Sequence, residues 1–144
     1  MSLQAIAYAS QAVPRLKTSE VDQLVQAASW YNRSAGVSGL LLFDGARFLQ
    51  YIEGPDSGIA VVYSRILASR FHTDVIELAR SRVGERRMPY WAMRWLPTDK
   101  AKFNEAAFSD WTSLVPRGKP GSRAAKKGID HLAEHAAPHL SCPG

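Results

Sequence analysis

Two residues far apart in the chain have side chains that could move an electron and a proton together. Tyr8 is a phenol within a short apolar run, and Gln50 is an amide in Phe48-Leu49-Gln50-Tyr51-Ile52, where it shares strand parity with Phe48 and Ile52. A phenol can give up an electron and a proton in one event. An amide carries a donor at one end and an acceptor at the other, so it reverses its hydrogen bonds by rotating or tautomerising. Burying an amide unpaired costs about 1–3 kcal/mol, so something polar must face Gln50. A backbone or water partner is the usual solution. Tyr8 is the alternative if the two strands are neighbours.

Asn32 and Tyr31 end a helical pattern, and Arg65 and Ile66 lie on a second one. A planar, mostly apolar ligand with polar edge atoms would fit a slot between such helices, gripped by Asn32 and reached from the sheet by Tyr8 and Gln50. Helix capping is the simpler role for Asn32 alone. Near the C-terminus, His131-Leu132-Ala133-Glu134-His135 spells the H-x-x-E-H pattern of inverted zinc peptidases. Two histidines at i and i+4 can grip a metal. That chemistry needs a further downstream ligand, and only Pro138, His139 and a few small residues follow, so a solvent-facing helix edge is the stronger reading and a metal-dependent hydrolase the weaker.

The elements that must position these groups follow from periodicity. Residues 3–9 predict a first strand, with Ile6 and Tyr8 on one face. Ser19 and Asp22 resemble a capping box, and Val21, Leu24, Val25, Ala28 and Tyr31 predict a helix to about residue 33, stopped by Gly36. Residues 37–43 and 47–53 flank Asp44-Gly45 and predict an antiparallel hairpin. A second helix is expected over 57–69, then strands over 75–83 and 90–96, and two C-terminal helical stretches over 99–111 and 123–136. The order is α+β, a ferredoxin-like sandwich of βαββαβ type plus a fifth strand and two C-terminal helices. The first and third strands are the central neighbours in that topology, which brings Tyr8 towards Gln50.

The chain has 144 residues, one domain's worth, so an output is expected to pass to a partner. Hydrophobic residues make up 46% and charged residues 22%, which excludes disorder for the chain as a whole. No start resembling a secretory signal and no run long enough for a membrane helix is present, and the lone Cys142 has no internal partner, so a cytoplasmic location is expected. The excess behind the net charge of +5 is local: residues 117–127 hold Arg117, Lys119, Arg123, Lys126 and Lys127 and no acidic residue. Such a run reads first as a solvated tail and only second as a contact for nucleic acid or an acidic partner. The same fold hosts RNA-binding modules, but Arg47-Phe48-Leu49-Gln50-Tyr51 lacks the basic, glycine-containing aromatic signature that they need, so nucleic acid is an unlikely partner.

At these residues the sequence resembles the BLUF family, sensors of blue light using FAD. The resemblance rests on Ile6-Ala7-Tyr8-Ala9-Ser10, on Tyr31-Asn32-Arg33 running into Gly36-Val37-Ser38-Gly39-Leu40-Leu41, on Phe48-Leu49-Gln50-Tyr51-Ile52-Glu53-Gly54-Pro55, and on Trp91-Ala92-Met93. It covers residues 1–97 as a flavin-binding photosensor domain and leaves 98–144 as a C-terminal helical cap and basic tail. It implies non-covalent FAD, with Tyr8, Ser10, Tyr31, Asn32, Gln50, Arg65, Ile66, Arg70 and His72 as candidate contacts. It also implies that Tyr8 gives an electron to the light-excited flavin while a proton moves through Gln50, which ends in a new hydrogen-bonded state. Trp91 and Met93, read as sharing strand parity, are the candidates to pass that change to the C-terminal helices, a downstream protein in trans and a homo-oligomer. One departure is Ser69, at a position where family members often carry a carboxylate.

Overall fold

The computed structural model describes residues 3–114 and 126–140. Five strands form one sheet in the order β4-β1-β3-β2-β5: β1 Leu3–Ala12, β2 Ser38–Phe43, β3 Arg47–Pro55, β4 His72–Val83 and β5 Trp95–Pro97. Helices α1 (Thr18–Ala35) and α2 (Asp56–Ala68) are the crossover helices of the expected βαββαβ sandwich. The pairs β1/β3, β1/β4 and β2/β3 are antiparallel, and β5 joins β2 in parallel.

Alternation along the central strands builds two cores. Ile6, Leu41, Phe43, Phe48 and Ile52 face the two crossover helices and pack with Val21, Val25, Ile59 and Val62. Ala5, Ala7, Leu40, Leu42, Leu49 and Tyr51 face the other way, against Phe103, Ala106, Trp111, Ile129 and Leu132. The latter come from α3 (Lys100–Ala107), α4 (Gly128–Ala136) and the link after α3. The described C-terminal residues therefore cover the second face of the sheet and share its core. Of the basic run, Arg117, Lys119 and Arg123 lie outside the described residues, as do the expected start of the last helix at 123 and Cys142.

Two sequence expectations are corrected. The start of α1 is capped by Glu20, whose Oε1 accepts from Lys17 N at 3.0 Å, not by a Ser19/Asp22 box. Asp22 instead accepts the indole N–H of Trp95 at 2.6 Å. The expected helix end is present: Gly36 takes the left-handed φ of 73°, where a Cβ would be strained. The second correction concerns 90–96, where only Trp95–Pro97 is strand. The carbonyls of Ala92 and Met93 are taken by the side chains of Asn32 (2.8 Å) and Ser29 (2.9 Å) on α1, so they cannot serve a ladder. Trp91 and Met93 therefore share no strand parity.

Candidate functional site

Tyr8 and Gln50 stand directly opposite each other in the β1/β3 register. On adjacent strands, opposed residues project to the same face. Both side chains point towards α1 and α2, and the Tyr8 hydroxyl donates to Gln50 Oε1. Gln50 Nε2 has only the thioether of Met93 at 3.5 Å, a weak acceptor. Phenol, amide and thioether thus form one buried chain, with its strong bond at the phenol end and its weak one at the amide donor. Burial pushes the Tyr8 phenol well above the ordinary tyrosine value, and the neighbouring Tyr63 phenol adds to the shift. Tyr8 therefore keeps its proton, and that proton is held on the line to Gln50.

This chain forms the floor of a cavity of about 590 Å³ between α1 and α2. Its walls are mostly apolar, with polar groups at the edges. Tyr31, Asn32, Arg65, Ile66, Arg70, His72 and Met93 all line it along with Tyr8 and Gln50. Asn32 is 2% exposed and spends Nδ2 on the Ala92 carbonyl, while no hydrogen bond from the described residues reaches its Oδ1. At the rim, the Arg65 guanidinium lies 3.4 Å above the Tyr31 ring and ties α2 to α1.

Two candidates are not where sequence reasoning placed them. Ser10 does not line the cavity: its hydroxyl lies behind His72, 2.7 Å from Nδ1. His72 Nε2 meets the Ile66 carbonyl at 2.7 Å and must donate there, so in the neutral ring Nδ1 accepts from Ser10. Trp91 also stands away from the cavity and packs partly buried against the second core, whereas Met93, 6% exposed, faces Gln50. Ser29 and the polar cluster around Glu53 were missed. Ser29 sits one helical turn before Asn32 and Arg33, a spacing that could have flagged it. The His131/His135 pair is not brought together as a chelate: His135 Nδ1 donates to the His131 carbonyl at 2.8 Å, and Nε2 meets Thr98 Oγ1 at 3.3 Å.

The groups present suit a flavin. A ring system with an apolar face and one edge of alternating carbonyl acceptors and N–H donors matches an apolar slot whose floor offers an amide donor at Gln50 and an unused amide acceptor at Asn32. Among the described residues, two arginines, Arg65 and Arg70, and no carboxylate line the same cavity, which suits a phosphate-bearing tail.

Comparison with known proteins settles the family. Residues 3–94 match the family described as sensors of blue-light using FAD. The chain belongs to the BLUF family. Among curated relatives of this BLUF chain, the blue light- and temperature-regulated antirepressor BluF of Escherichia coli K12 is 32% identical over 59 residues, 41% of this chain and 15% of that protein. The photoactivated adenylate cyclase subunit beta of Euglena longa is 27% identical over 88 residues, 61% of this chain and 10% of that protein. The chain therefore spans a small part of the curated relatives it matches. The dark-state structure of the BLUF protein BlrB is similar at 26% identity with a TM-score of 0.65, over 74% of this chain and 79% of that one. FAD is the cofactor of BLUF domains, and the domain is a photosensor. No described helix of this BLUF chain is long and apolar enough to cross a membrane.

Proposed function

We propose that this chain is a blue-light photoreceptor in which FAD lies non-covalently in the cavity between α1 and α2 and light resets the hydrogen bonds of Tyr8 and Gln50. The observation that carries the reading is the buried Tyr8–Gln50–Met93 chain on the cavity floor, with its weakest bond at the Gln50 amide. Asn32 and Gln50 are the groups to hold the polar edge of the ring. Tyr31 and Ile66 line its faces, and Arg65, Arg70 and His72 reach the tail. Ser10 acts through His72 by holding its ring.

When bound, the flavin supplies the blue absorption and an excited state that accepts an electron. The rest is done by the chain. Tyr8 releases an electron, and its phenol proton, which becomes strongly acidic on oxidation, moves along the existing bond to Gln50 Oε1. Return of both leaves Gln50 rotated or tautomerised, so that its stronger donor no longer faces a thioether. Met93 then loses the amide, and the change runs down the backbone at 92–94, which is bound to α1 through Ser29 and Asn32 and to β2 through the 2.8 Å bond from Leu41 N to the Arg94 carbonyl. From there, Arg94 contacts His139 at 3.1 Å and Thr98 contacts His135 at 3.3 Å, which supports an output at the C-terminal helices. The receiver in this reading is a separate protein in trans, met by a cytoplasmic homo-oligomer.

The test is the visible absorption spectrum of the purified protein before and after blue light. A flavin spectrum that shifts slightly to the red and recovers in the dark is the expected result. Tyr8→Phe keeps the flavin and loses the shift. A normal shift in that variant, or no flavin after FAD is supplied, sinks the reading.

A further inference from the structure

A buried carboxylate on the opposite face of the sheet takes no part in the chemistry above. Glu53 is fully buried, three residues beyond Gln50 on β3, so it points away from the cavity. Its Oε1 accepts from Tyr51 Oη at 2.8 Å and Arg87 N at 2.6 Å, and its Oε2 from Ser38 Oγ at 3.2 Å and Met88 N at 2.7 Å. Four donors meet the acceptor sites of one carboxylate, and nothing donates in return. Arg86 lies one hydroxyl away: its guanidinium donates to Ser38 Oγ at 2.8 Å, to the Glu53 carbonyl at 3.3 Å and to the Gly36 carbonyl at 2.6 Å.

Two of those four donors are consecutive backbone amides of the link between β4 and β5, the segment that carries Met93. Met88, the second of the two, is buried, and five positions later Met93 reaches Gln50. The far end of the link is held by Gly39 N on the Trp91 carbonyl at 3.0 Å and by the Asn32 and Ser29 side chains. One strand thus carries the switching amide on one face and the anchor of its Met93 partner on the other.

We infer that Glu53 is a positioning residue for the photoswitch: by fixing the 84–93 link at its start, it holds Met93 against Gln50 and sets how long the light-induced state lasts. The inference rests on the light-driven Gln50 rearrangement proposed above. A merely structural carboxylate would stabilise the fold without any coupling to Met93.

Glu53→Gln replaces one acceptor oxygen by an NH2 that faces donors and keeps the shape. In the flavin-free protein, hydrogen exchange over 84–93 rises by about tenfold while the peptides of β1 and β3 stay protected, because only the link is released. In the flavin-loaded protein the red shift remains and recovers about threefold faster in the dark, and the same substitution made on Met93→Ala adds almost nothing, as residues acting through one another must show. Unchanged recovery in Glu53→Gln, or effects of the two substitutions that simply multiply, overturns the inference. If Glu53→Gln does not fold, Tyr51→Phe removes a single donor and serves the same two measurements; faster exchange with unchanged recovery overturns the inference there too. Failure of the underlying reading looks different, since the unsubstituted protein then shows no red shift at all.

Discussion

At the scale of single residues, the chemistry depends on phenols that cannot ionise. Burial raises Tyr8, helped by Tyr63, and burial raises Tyr51 far above its ordinary value of 10.0, helped by the Glu53 carboxylate. A group whose native pKa is raised keeps its full contribution below the unfolded value and loses it as pH climbs above that value, because only the unfolded chain then releases the proton. Stability should therefore be flat to about pH 10 and then fall by about 1.4 kcal/mol per pH unit for each of the two tyrosines. Urea unfolding between pH 9 and the low elevens measures this, and Tyr51→Phe should make the fall shallower. Tyr8 and Gln50 were legible in the sequence because a polar group at an inward strand position must find a partner, and the hairpin at Asp44-Gly45 fixed the register of β2 and β3. Glu53 was not legible. Its odd parity put it off the cavity face, and two of its four donors are loop amides that no pattern of side chains announces.

At the scale of elements, the cavity exists because α1 and α2 approach without filling the space between them. Gly58 makes that approach possible: a Cβ there would lie 2.1 Å from the Ala35 carbonyl oxygen. Gly58→Ala should push the helix ends apart, cost about 1–3 kcal/mol as overpacked sites do, and leave the purified protein with less flavin. Retention of the full flavin complement with an unchanged melting point would show that the helices have room to spare. The helices, the hairpin and the order of the strands could be read from period and turn residues. The segment 90–94 could not be, since Tyr90 to Leu96 has the composition of a strand while its carbonyls are taken by Ser29 and Asn32. Local pattern carries no trace of a helix that arrives from 60 residues away.

At the scale of the whole molecule, the sheet is a wall between two cores, and the C-terminal segment is the only described cover of the second. Ending the chain at Pro97 would uncover Leu40, Leu42, Leu49 and Tyr51, so that variant should bind a hydrophobic dye, self-associate and melt lower than the full chain. A milder version acts at Gly128, where α4 is seated on Trp111 so closely that a Cβ would fall 2.0 Å from a ring carbon. Gly128→Ala should loosen α4 while the flavin cavity, on the far side of the sheet, keeps its ligand, a separation that limited proteolysis combined with the flavin spectrum would read out.

The three-residue interval between Gln50 and Glu53 has a consequence for how such a chain can vary over evolutionary time. An odd interval sends the two side chains to opposite faces, and an even one would put both on the same face. β3 can therefore exchange one residue type for another, but it cannot gain or lose a single position between them. Insertions and deletions that leave the switch intact are confined to the turn at 44–46, before Gln50, or to the stretch beyond Pro55.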